Sequence, residues 1–116
     1  MLIPEDVKIY LCLDIVDMRK SIDTLGILVA DTLNLNPASG HLFLFHNRKG
    51  DKVKALFYRE NCFTLIYSRL EKGKFIFPKN CEGHLEISRQ HLEWLLASNK
   101  YSQPDAIINT PFEHIC

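Results

Sequence analysis

The period of the apolar residues changes several times along the chain, and each change marks an element. Residues 7–13, VKIYLCL, alternate loosely and are rich in β-branched and aromatic types, which predicts a first strand. After a turn over Asp14 to Asp17 the period lengthens. Met18, Ile22, Leu25, Val29 and Leu33 recur at helical spacing and predict an amphipathic helix over about 18–33, with Asp17 as its N-cap and Arg19, Lys20 and Asp23 on its outer face. Gly26 inside that helix costs up to about 1 kcal/mol relative to Ala, so close packing against a neighbour is expected there.

The segment NLNPASG (34–40) collects residues that end helices and make turns, so a sheet should begin after it. HLFLFH (41–46) is almost continuously apolar and suits a strand covered on both faces. NRKG (47–50) supplies a tight turn. The return strand DKVKALFYR sends Val53, Ala55 and Phe57 to one side and Lys52, Lys54 and Tyr58 to the other. A turn at Glu60 and Asn61, a strand CFTLIYSRL (62–70), a turn EKG (71–73) and a short strand KFIF (74–77) stopped by Pro78 follow. HLEI (84–87) adds a short strand, Ser88 caps a second helix over about 89–98 with Leu92, Leu95 and Leu96 on its apolar stripe, and the rest is irregular. These elements predict one α+β domain over residues 1–98, an antiparallel β-meander of about five to six strands carrying one helix from the N-terminal half and one C-terminal helix, with residues 99–116 as a tail.

Composition changes that picture little: 116 residues, 47% hydrophobic and 24% charged, make an ordinary single core. No stretch approaches a membrane span, and acids stand near the N-terminus where a secretory signal carries bases, so the expected location is the cytoplasm. Cys12, Cys62, Cys81 and Cys116 are irregularly spaced without a zinc pattern. Cys12 and Cys62 fall in apolar runs, where cysteine acts as a small hydrophobe. No catalytic motif is written into the chain, and neither a metal nor a cofactor is expected. His41 and His46 flank a strand on opposite faces, and Asp14, Asp17 and Asp23 read as turn, cap and exposed ion-pair partner rather than as a nuclease cluster.

Charge is more informative, because a net charge of zero hides balances of −3, +6 and −3 over residues 1–47, 48–79 and 80–116. Lysines and arginines on a surface that a phosphodiester chain can follow are what backbone binding requires. The candidates are Arg19, Lys20, Arg48, Lys49, Lys52, Lys54, Arg69, Lys72 and Lys74, expected as two patches at opposite ends of the sheet joined by the Lys52 and Lys54 face. No helix-turn-helix, zinc finger or RNA-stacking signature accompanies them.

Three strings, read in order, carry a resemblance: DMRKSIDTL (17–25), NPASGHLFLFHNRKGDKVKALFY (36–58) and RLEKGKFIFP (69–78). Over about residues 7–97 the chain resembles the small second-reading-frame, TnpB-type proteins of the sixty-six group of bacterial insertion sequences. That resemblance implies a non-catalytic accessory to transposition, made beside a separate transposase that holds the acidic residues for strand transfer. The implied partner is the transposase of the same element, with DNA and a second copy of the chain as open further partners. The alternative is an interaction module without nucleic-acid contact, working through Phe43, Phe45, Phe75 and Phe77 if one sheet face is exposed.

Overall fold

The N-terminal half of the chain closes on itself through a helix. The computed structural model describes residues 5–77 and 83–97, and in it strand β1 (Ile9–Ile15) is followed by helix α1 (Ile22–Asp31) and strand β2 (Leu42–His46). β1 and β2 lie side by side in parallel, Ile9 opposite Leu42, so α1 is the crossover that parallel neighbours need. β3 (Lys52–Arg59) and β4 (Cys62–Arg69) then run back and forth as antiparallel hairpins, and β5 (His84–Ile87) pairs antiparallel with the free side of β1. The order across the sheet is β4-β3-β2-β1-β5. The α+β class holds, but the sheet is mixed where an antiparallel meander was expected.

Alternation along each strand feeds two cores. Phe43, Phe45 and Leu56 face α1 and meet Leu25 and Val29, all nearly inaccessible to solvent. Ile9, Leu11, Leu42, Leu44, Val53 and Ala55 face the other way and meet Leu92 and Leu95 of α2 (Arg89–Ala97). β2 is therefore covered on both sides, as its unbroken apolar run requires, and each of its large side chains contributes roughly 1.5–3 kcal/mol by leaving water. Phe43, Phe45 and Phe75 are buried, so they make core rather than an exposed aromatic ribbon.

Several local expectations change. α1 starts at Ile22, with Ser21 in the extended cap position and its carbonyl accepting the first helical bond from Leu25. Asp17 is not the cap: its Oδ1 accepts the backbone N–H of Arg19 at 2.8 Å and its carboxylate grips the Arg19 guanidinium at 2.7 Å, which fixes a turn ahead of the helix. Arg19 and Lys20 therefore precede α1, and Asp23 is not their partner. The helix ends early because Asn34 turns left-handed at φ 57. A Cβ at Gly26 would lie 4.0 Å from Pro37, an ordinary contact, so tight packing does not explain that glycine. Residues 74–77 form no strand. Cys12 is buried as expected, its thiol pushed up to about 11 by desolvation, whereas Cys62 is exposed on β4. Ser88 does cap α2, its Oγ accepting the N–H of His91 at 3.1 Å. Pro78 and the expected tail lie outside the described residues.

Candidate nucleic-acid interface

The antiparallel hairpins and the parallel crossover together decide where the cations go. Because β1 and β2 point the same way, the loop after β1 and the turn after β2 emerge at one end of the sheet, and β4 returns there too. Arg19 and Lys20 come from the first loop, Arg48 and Lys49 from the turn, Lys52 from the start of β3, and Arg69, Lys72 and Lys74 from the end of β4 and the segment after it. Eight cations thus meet four acids at this end, Asp14, Asp17, Asp51 and Glu71, a surplus of four positive charges. The expected two patches are one.

Specific bonds hold that end together. Asn47 organises the turn: its Oδ1 accepts the N–H groups of Gly50 at 3.0 Å and Lys52 at 3.1 Å, and its Nδ2 donates to Asp51 at 2.7 Å. The amide of Asn47 and the charges of Lys52 and Lys49 hold the Asp51 carboxyl below its usual range. Arg48 and Lys49 project outward from this frame, both exposed. The segment after β4 is bound to the same turn, Leu70 N–H donating to Asp51 O at 2.8 Å and Phe75 N–H to Gly50 O at 2.7 Å. Gly50 is favoured there by its backbone, which sits at φ +75 in the left-handed region, while a Cβ would make only ordinary contact, 3.5 Å from the Phe75 carbonyl oxygen. Phe75 is the anchor, buried at 7% exposure, while Lys72 and Lys74 on either side of Gly73 stay in solvent.

Lys52 and Lys54 share one face of β3 but not one environment. Lys52 is half-exposed opposite Arg69. Lys54 is 7% exposed, its Nζ donating to the Lys20 carbonyl at 2.7 Å and lying 5.2 Å from the centre of the Tyr67 ring. It is occupied as a strut beneath the β1–α1 loop and so positions Lys20 rather than standing in solvent itself. Arg19 is the reverse case. Its side chain is 91% exposed, yet Asp17 neutralises it, and the guanidinium in turn pulls the Asp17 carboxyl down to about 2. The Arg69–Glu71 pair, at 3.9 Å and exposed on both sides, holds little.

His46 closes the underside of this end. Its ring stacks on Phe77 with centroids 4.1 Å apart, and its Nε2 is buried without a hydrogen-bond partner among the described residues. Burial lowers its pKa from the ordinary imidazole value, so it stays neutral near pH 7. His41 lies at the other end, accepting the Lys8 N–H at 3.0 Å, so the two histidines do not meet. Among the described residues no three His, Cys, Asp or Glu side chains are grouped to hold a metal, and no helix is long and apolar enough to cross a membrane. Sequence reasoning treated Asn47 only as a turn former and Phe75 only as part of an aromatic face. The N-x-x-G-D spacing was the available signal for the wider role of the first, and nothing local marked the second as an anchor.

Structure and charge together define a small α+β protein with a cationic end to its sheet. The chain matches the family described as IS66 Orf2-like protein over residues 7–106, and it belongs to that family of transposition-associated accessory proteins. Two relatives come from Sinorhizobium fredii (strain NBRC 101917 / NGR234). Uncharacterized protein y4hO is 30% identical over 86% of this chain and 87% of its own length, and uncharacterized protein y4jC is 32% identical over 71% and 70%. No solved structure matches the chain.

Proposed function

We propose that the cationic end binds the phosphate backbone of DNA during movement of the insertion element, with no bond made or broken by this chain. The observation that carries the reading is the pair of backbone bonds from Asp51 and Gly50 to the segment after β4. They gather Arg48, Lys49, Lys52, Arg69, Lys72 and Lys74 into one surface. Lys20, held by Lys54, flanks them. These are point charges on turns and a strand edge, with no helix presented to a groove, so they suit positioning on a duplex rather than base readout. Such an accessory would work in the cytoplasm, handing DNA to the transposase of the same element.

Fluorescence anisotropy on duplexes carrying the ends of the element tests this. Affinity should fall with salt at a log–log slope of about −3 or steeper, because several phosphates lose their counterions on binding. Binding indifferent to salt, or none at low salt, refutes the reading. Nuclease-treated co-purification with the transposase separates the protein partner from DNA: a complex that survives the nuclease is held by protein contact alone.

A further inference from the structure

The outer edge of β4 is unusually open. A two-residue turn at Glu60 and Asn61, with φ 53 and 62, joins β3 to β4, and Arg59 faces Cys62 across it. In such a hairpin the pairs next to the turn and every second pair beyond it exchange backbone bonds. Cys62, Thr64, Ile66 and Ser68 thus bond to β3, and Phe63, Leu65, Tyr67 and Arg69 turn their N–H and C=O groups outward. No loop or helix among the described residues bonds to that edge. The strand runs eight residues without proline, glycine or a register shift, whereas the opposite edge strand, β5, has four. Isolated edges are normally guarded by bulges, prolines or inward charges, and β4 has none of these.

Charge beside this edge is segregated along its length. At the Phe63 end a groove of about 300 Å³ runs between α1 and β4, lined by Ile27, Ala30, Asp31, Pro37 and Phe63 among others, and Glu60 is exposed next to it. At the other end Arg69 and Lys72 flank one acid, Glu71, which lies 3.9 Å from Arg69 in an exposed, weak pair. Apolar surface lies between, Ile27 at 60% and Tyr67 at 52% exposure.

We propose that β4 pairs antiparallel with β4 of a second copy of this chain, Ile66 facing Ile66 across a two-fold axis, so that Arg69 of each copy enters the groove at Asp31 of the other. This register follows from the pattern. Only residues with outward groups can bond, so Phe63 pairs with Arg69 and Leu65 with Tyr67, all four on the α1 face. Arg69 then sits one strand spacing, ~4.8 Å, beyond Phe63, at the mouth of the groove. Lys72 comes opposite Glu60, and Tyr67 approaches the exposed Ile27, so that in the dimer Arg69 and Lys72 pair with acids and Arg48, Lys49, Lys52 and Lys74 are left for phosphates. The two copies complement each other because an antiparallel joint sets the cationic end of one against the acid-bearing end of the other. A shift by two residues keeps the bonds but removes Arg69 from Phe63.

Sedimentation velocity of the full chain without DNA, up to about 100 µM, should show a dimer. Arg69→Glu and Asp31→Lys should each weaken it by about tenfold or more, since each sets like charges together at both symmetric contacts. Their equimolar mixture should dimerise again, because every contact in the mixed pair joins opposite charges. Ile66→Cys should form an intermolecular disulfide on mild oxidation, as facing non-bonded pairs bring Cα atoms to about 4.5 Å. A monomer throughout that range overturns the proposal, as does a dimer untouched by Arg69→Glu or a mixture that stays monomeric. A dimeric protein whose Ile66→Cys variant does not cross-link overturns the register. The cross-linking arm holds even if one charge variant folds poorly.

Discussion

At one end of the sheet the loop after β1, the turn after β2 and the segment after β4 bring eight cations against four acids, and backbone bonds from Gly50 and Asp51 lock two of these pieces together. At the other end the chain connects the same strands through the uncharged NLNPASG loop and a two-residue turn, with Lys8 and Arg59 set against Glu5, Asp6 and Glu60. Both ends close the same sheet, so closure alone does not call for lysines. What distinguishes them is anchoring: the cationic end rests on Phe75, His46 and Lys54, three buried side chains that contact solvent little yet fix where the exposed charges stand.

Removing the anchor should have the largest effect. Phe75→Ala is expected to cost about 3 kcal/mol in urea unfolding, with a parallel loss of duplex affinity as the segment after β4 detaches from the turn. A stability loss without any affinity loss would break the link between anchoring and charge. Reversing Lys49, Lys52 and Lys74 to Glu should lower duplex affinity about a hundredfold, while Lys8→Glu with Arg59→Glu at the opposite end should change it by no more than about twofold. Equal losses from both sets would erase the distinction between the ends.

The two lysines of β3 sharpen the comparison further. Lys54→Met keeps the apolar stem but strips the Lys20 carbonyl of its donor, so thermal or urea unfolding should show a loss of about 1.5 kcal/mol with the salt slope of binding unchanged. Lys52→Met should do the opposite, leaving stability within about 0.5 kcal/mol and making the slope shallower by about one. The smallest effect expected is on pH. Because burial lowers the His46 pKa in the folded protein, the unfolded chain takes up the proton first as pH falls through the ordinary imidazole range near 6.5. The stability His46 allows is complete above that range and declines below it. Melting temperatures measured from about pH 7 to about pH 5 should fall, and should fall less in His46→Phe, which keeps a ring against Phe77.

How far the sequence reached can be argued from particular elements. The continuous run at 42–45 showed that β2 is covered on both faces, and the alternation in β3 assigned Val53, Ala55 and Phe57 correctly against Lys52, Lys54 and Tyr58. Neither pattern names a neighbour, so the parallel pairing of β1 with β2 was not legible, and with it the arrival of Arg19 and Lys20 at the end where the β2–β3–β4 hairpins set the other six cations. Local signals also misplaced the start of α1, because Asp17 can serve equally as a cap or as the acceptor in a turn, and the guanidinium of Arg19 decided between them. The candidate cations were visible as residue types. That Lys54 is enclosed was not, since its enclosure comes from Tyr67 on the next strand and from a carbonyl far away in the chain.

The placement of β1 has a consequence for how the protein is made. Ile9 faces Leu42 on one side and Ile87 on the other, so the strand synthesised first takes its last neighbour only after nearly all the described chain has left the ribosome. The β2, β3 and β4 hairpins can zip locally in the meantime, but the first strand waits with one side unpaired. A message truncated before β5 would therefore yield a chain carrying every one of the gathered cations on a sheet with two open margins, prone to stick to its own kind rather than to assist an element.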